Sequence, residues 1–191
     1  MNATENSAAE FAEKWYVVKR AVIAPESARI LYEHVLARAS SKTTARGDNQ
    51  VPNAPSAYGD PLTDRLLEHL RASVEQVTGL RLWPTYSFFR LYQQGNLLPA
   101  QRDRPACEVS MTVNLGIDAD APWPIWIAGP QGTAAVALDP GDGLIYRGCD
   151  CYHWREPFGG NHLAQVFLHY VVQDGPNAEW KFDKRPSLAH P

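Results

Sequence analysis

The chain has 191 residues, 45% hydrophobic and 20% charged, and its 18 basic and 21 acidic groups give a formal net charge of −3, which fits one globular domain of roughly 100–200 residues. Its apolar stretches are strand-sized and broken by Pro, Gly or charge, which excludes a helical membrane span of about 20 residues, and the near-neutral balance gives no electrostatic footprint for nucleic acid. Three cysteines (Cys107, Cys149, Cys151) are too few for a disulfide scaffold and, with a polar first segment lacking an apolar signal core, point to a reducing cytoplasm.

Residues 1–13 are polar and small and are predicted to fray. Lys14 to Ile23 mixes aromatic and β-branched residues and reads as a strand. Ala24-Pro25-Glu26 then opens a helix, whose buried face is Ala28, Leu31, Tyr32, Val35, Leu36 and Ala39. Ser40 to Gly59 is polar, rich in Gly and Pro and without periodicity, so a long loop is expected, of the kind that serves as a lid or substrate loop. Asp60-Pro61 starts a second helix, with a stripe of Leu62, Leu66, Leu67, Leu70, Val74 and Val77 ending at Gly79.

Beyond Gly79 the character changes. Short β-rich runs recur between turn signals: Leu82–Gln93, Cys107–Leu115, Pro124–Ala128, Ala134–Leu138, Gly143–Tyr146 and Leu163–Val172. Two helices followed by such strands predict a mainly β fold, a sandwich or barrel with N-terminal helices packed on it. With no internal repeat and no interior linker, residues 1–191 read as one domain, with a helical segment and loop over 24–79 and a β core over 80–174.

The second half carries the chemistry. Pro84 to Gly95 reads as a strand ending at a glycine turn, and Gln101-Arg-Asp-Arg-Pro-Ala-Cys-Glu-Val-Ser110 enters the next one. Leu138-Asp-Pro-Gly-Asp-Gly-Leu-Ile-Tyr-Arg-Gly148 is a tight turn into a strand, and Tyr152-His-Trp-Arg-Glu-Pro157 follows. On these segments, and on the wider run "YRGC…HWREPF…QVFLHY", the chain resembles the non-haem iron(II) and 2-oxoglutarate-dependent dioxygenases, specifically their compact prolyl-hydroxylase-like group. The segment "GDNQVPNAPSAYGDP" and the N-terminal helices are similar to the same group.

The resemblance implies a double-stranded β-helix, or jelly roll, with a metal at one open end held by an H-x-D pair and a distant His. Residues i and i+2 of a strand face the same way, and three ligands on one side leave open corners for 2-oxoglutarate and molecular oxygen. Mapped onto this chain, the Asp is Asp103 and the distal His is His153. The first His position holds Gln101, whose neutral amide oxygen is a weaker ligand than imidazole. Three readings follow: Gln101 ligates through its oxygen, His162 or His169 substitutes, or the site no longer holds iron.

The cosubstrate's distal carboxylate needs a cation, and arginine's planar fork suits it. Relatives place that cation about ten residues after the distal His, where this chain has Leu163-Ala-Gln165. Arg155 and Arg90 are the leading candidates and Arg147 a third, with hydroxyl help from Tyr86 and Tyr92 on one strand. Gln165, Phe167 and His169 share a strand face and could line a cavity. The three cysteines are expected to be small buried hydrophobes, and His162 and His169 read more simply as structural.

The function implied is an Fe(II)/2-oxoglutarate oxygenase that hydroxylates a small-molecule or peptidyl substrate, with no nucleic-acid or membrane partner. The alternative is a catalytically silent jelly-roll module that binds a metabolite or a protein through the old pocket.

Overall fold

The computed structural model describes residues 3–41 and 44–188; His190 lies outside them. The chain begins with helix α1 (Ala3–Lys14) and strand β1 (Tyr16–Lys19). The expectation that the first thirteen residues fray is corrected by α1, which packs on the later helix α3 (Pro61–Thr78) and inserts Phe11, 1% exposed, into the main core. A polar composition concealed that single anchoring aromatic. The strand expected over 14–23 is shorter, because Ala21 has a left-handed φ of 50° and turns the chain.

Helix α2 (Pro25–Ala39) starts with Pro in its first turn and buries Ala28, Leu31 and Val35. In α3, the Asp60 side chain caps the helix by accepting from the Leu62 N–H, and Gly79 closes it in the left-handed region at φ 73°. Leu67, Leu70, Val74 and Val77 form its buried stripe; each such side chain contributes about 1.5–3 kcal/mol through burial. Between the helices, the expected loop over Ser40–Gly59 is corrected by a hairpin of β2 (Ala45–Gly47) and β3 (Pro52–Tyr58), whose prolines, Pro52 and Pro55, pair with β2 and precede the stretch of β3 that pairs with the next strand.

The remaining strands are β4 (Leu82–Gln93), β5 (Leu98–Gln101), β6 (Val109–Asp118), β7 (Ile125–Gly129), β8 (Gly132–Val136), β9 (Gly143–Arg147), β10 (Tyr152–Arg155) and β11 (His162–Val172). They form a seven-stranded antiparallel sheet, β1-β9-β6-β11-β4-β3-β2, and a four-stranded one, β5-β10-β7-β8. This is the double-stranded β-helix expected from the sequence, with helices flanking the larger sheet.

Alternation along the central strands separates two environments. Phe89, Leu91, Met111, Val113, Leu115, Val166, Leu168 and Tyr170 join the helices in the main core. The opposite face of the same strands carries Tyr86, Phe88, Arg90 and Tyr92 on β4, Ser110, Thr112 and Asn114 on β6, and Gln165, Phe167 and His169 on β11. Among the described residues, no helix is long and apolar enough to cross a membrane.

Candidate metal and cosubstrate site

Antiparallel pairing of β5 with β10 sets Gln101 directly opposite His153. Two residues past Gln101, Asp103 is fixed by its backbone N–H, which donates to the Gly148 carbonyl at 2.8 Å. All three line a cavity of about 300 Å³, together with Tyr86, Arg90 and His169. The His153 Nε2 lies 3.4 Å from Asp103 Oδ1, and the histidine is 3% exposed.

The His153 Nδ1 lies 3.2 Å from the Cys151 carbonyl, which can only accept, so Nδ1 carries a proton and Nε2 is the nitrogen turned toward Asp103. Metal-bound histidines carry this same backbone partner on their remote nitrogen. Two cis ligands about 2.1 Å from a shared ion stand about 3 Å apart, so the observed separation fits a divalent ion with little adjustment. Burial opposes ionisation of Asp103, but His153 and the Ser110 hydroxyl outweigh it and hold the carboxyl below its ordinary range.

On the other side of Asp103, Ser110 Oγ donates to Oδ2 at 2.9 Å and lies 2.9 Å from His169 Nδ1. The single hydroxyl proton is thus used on Asp103, so His169 Nδ1–H donates to Ser110 and its Nε2 keeps the lone pair. Burial holds the His169 imidazole neutral, with its pKa lowered to about 4. Among the described residues, Asp103, Cys107 and His169 form a group of three whose ligand atoms lie within 4.8 Å of one another. Ser110 belongs to no motif, and its signal in the sequence is the period-two polar series Ser110, Thr112, Asn114 inside an otherwise apolar strand.

The inner face deepens in layers set by register. Tyr86 and His169 face each other with ring centroids 4.6 Å apart beside Ser110; Phe88 pairs with Phe167, and below them Arg90 pairs with Gln165. Arg90, 3% exposed, donates to the Tyr92 hydroxyl at 3.2 Å, to Gln50 at 3.1 Å and to the Asp48 carboxylate. Its Nε has no hydrogen-bond partner. Asp48, on the β2–β3 turn, was missed because that stretch read as unstructured loop.

Arg155 points inward two residues after His153, as strand alternation requires, and donates to the Trp123 carbonyl at 2.5 Å and to Gln165 Oε1 at 2.6 Å. Its guanidinium carbon lies 4.5 Å from the Trp123 ring centroid, and burial pulls its pKa down to about 10. It reaches the Arg90–Gln165 layer from behind, beside Tyr92, whereas Arg90 lines the cavity itself. No carboxylate among the described residues is within ion-pair distance of Arg155. Two guanidiniums and one aspartate therefore leave the layer with one uncompensated positive charge.

The other sequence candidates lie elsewhere. His162 contacts Tyr32 at 2.6 Å and Asp118 at 3.8 Å, far along β11 from Asp103, and Arg147 stacks over Phe11 and Trp15. Cys151 is buried and Cys149 half-buried, both as free thiols. At the cavity rim, Asp183 accepts from Tyr58 at 2.6 Å and pairs with Arg104 at 2.8 Å.

No family model and no curated protein matches the chain. Among solved structures, it is similar to a Pseudomonas putida prolyl-4-hydroxylase, with TM-score 0.70, 16% identity, and 88% of this chain and 98% of that one covered. It is also similar to SnoN, a non-haem α-ketoglutarate-dependent epimerase of nogalamycin biosynthesis, with TM-score 0.76, 14% identity, and 89% and 83% covered. A third is HygX from Streptomyces hygroscopicus with nickel and 2-oxoglutarate bound, at TM-score 0.68, 13% identity, and 91% and 89% covered. The chain therefore has the fold of the 2-oxoglutarate/Fe(II) oxygenases.

Proposed function

We propose that the chain is a non-haem iron(II)/2-oxoglutarate-dependent oxygenase of a small-molecule or peptidyl substrate, with Asp103 and His153 as its principal metal ligands and Gln101 as the weak third. The observation that carries this reading is the convergence of His153 Nε2 and Asp103 Oδ1 at 3.4 Å in one cavity, above a layer with an uncompensated buried positive charge. Buried cations are ordinarily paired. A dicarboxylate with one end toward Asp103 and His153 and the other toward Arg90 and Arg155 supplies the missing charge.

Within that arrangement each residue has a definite task. The Cys151 carbonyl fixes the His153 tautomer, and Ser110 orients Asp103. Arg90, on the cavity wall, receives the distal carboxylate, with the Arg155 charge behind it and the Tyr92 hydroxyl alongside. Phe88 and Phe167 form the apolar walls between the two ends. Bound iron and 2-oxoglutarate would supply the oxidising chemistry at a substrate carbon, while the chain supplies position and charge.

One observation favours a second reading: Gln101 occupies the place opposite His153 where imidazole would complete a stronger site, as in a silent module that keeps the pocket. Anaerobic titration with iron(II) and 2-oxoglutarate separates the two through the metal-to-cosubstrate charge-transfer absorption. The oxygenase reading expects the band in the native protein and its loss in His153→Ala. No band in the native chain, with one appearing in Gln101→His, would establish the silent module instead.

A further inference from the structure

We propose that the chain has a second metal-binding set, Asp103, Cys107 and His169, suited to a zinc-type divalent ion, on the side of Asp103 away from His153. The inference shares Asp103 with the oxygenase reading but does not depend on it. A thiol, an imidazole and a carboxylate are the donor types of four-coordinate zinc sites that keep one corner for water, and here their ligand atoms already lie within 4.8 Å of one another. Tetrahedral ligands about 2.0–2.3 Å from an ion are about 3.3–3.8 Å apart, so modest side-chain movement closes the set.

The surrounding bonds prepare it. The Ser110 hydroxyl donates to Asp103 Oδ2 at 2.9 Å and lies 2.9 Å from His169 Nδ1, which fixes the imidazole ring beside the carboxylate. Cys107 is 2% exposed, and its Sγ lies 3.1 Å from the Tyr86 hydroxyl. Asp103, His169 and Tyr86 line the cavity, which gives an ion and its water a route in. On binding, the Cys107 S–H bond breaks heterolytically, the proton passes to solvent, and the thiolate sulfur donates to the ion with no change of oxidation state. His153 contacts Asp103 through the opposite oxygen, which separates the two sets by ligand chemistry: one includes a thiolate, the other none.

Cobalt(II) titration of the full chain without 2-oxoglutarate, followed through the thiolate-to-cobalt charge-transfer absorption, tests the proposal. The band is expected in the native protein and in His153→Ala, absent in Cys107→Ser, and shifted to at least tenfold higher cobalt in His169→Ala. Circular dichroism establishes that each variant is folded; if Cys107→Ser is not, His169→Ala decides alone. Cobalt binding without a thiolate band, or a band that His153→Ala abolishes while His169→Ala leaves it intact, overturns the proposal. Either result is independent of the iron and 2-oxoglutarate band, which reads His153 rather than Cys107.

Discussion

At position 101 an amide stands where imidazole would face His153, so the local difference is donor strength and not strand position. Gln101→His is expected to tighten iron(II) or manganese(II) binding by at least roughly tenfold, the lower end of what even an outer-shell partner contributes to metal affinity; equilibrium titration measures it. A second residue-scale prediction concerns Gly148. A Cβ there would meet the Cys107 carbonyl at 2.1 Å, Asp103 Oδ2 at 2.5 Å and Ser110 Oγ at 2.8 Å. Gly148→Ala is therefore expected to displace Asp103 and abolish the iron and 2-oxoglutarate band, while a Gly159→Ala control, which meets no atom within 4 Å, leaves it unchanged. Asp103, His153 and the two arginines were legible as candidates because their spacing and neighbours form a pattern. Ser110, Asp48 and Gly148 were not, because each acts through a partner distant in the chain: Ser110 through His169, Asp48 through Arg90, Gly148 through Asp103.

Among the elements, periodicity served where one face is buried and failed where a single contact decides. The α3 stripe and the full length of β4 were readable, whereas α1 depends on Phe11 and β2–β3 on pairing with β4. Phe11→Ala is expected to cost about 3–5 kcal/mol, the usual penalty for truncating a buried aromatic, measured by urea unfolding. The β2–β3 hairpin makes a separate prediction. Asp48 Oδ1 accepts from the Gln50 and Val51 N–H groups at 2.9 and 2.8 Å, while Oδ2 holds Arg90. Asp48→Asn keeps the turn acceptor but removes the charge competing for Arg90, so 2-oxoglutarate should bind more tightly, on the order of tenfold, whereas Arg155→Gln, which removes the positive charge behind Arg90, should weaken it, also on the order of tenfold. Isothermal titration on both variants checks the opposite signs. Equal weakening in both would make Asp48 a positioning partner of Arg90 instead of a competitor.

For the whole molecule, two buried carboxylates with opposite pKa shifts set how stability follows pH. Asp142 accepts from the Ala21 and Asp139 N–H groups at 2.9 and 3.0 Å and from Arg20 at 2.6 Å, tying the turn before β9 to the segment joining β1 and α2. Burial pushes its pKa up, but these donors outweigh burial and hold it below the ordinary value. A carboxyl depressed in the folded state binds fewer protons there than in the unfolded chain, so its stabilisation is complete above the unfolded value of about 3.9 and is lost as pH falls through the folded one. Asp64 is the reverse: burial raises its pKa despite bonds from Ser87, so its contribution is present in acid and lost as pH rises through the raised value. Urea unfolding from pH 7 to pH 3 should therefore show Asp142→Asn less stable than native at neutral pH, with the gap closing below about pH 4. Asp64→Asn, whose amide oxygen can still accept from Ser87, should lose its advantage over native as pH falls. A gap for Asp142→Asn that stays constant to pH 3 would mean that shape and not charge makes the tie.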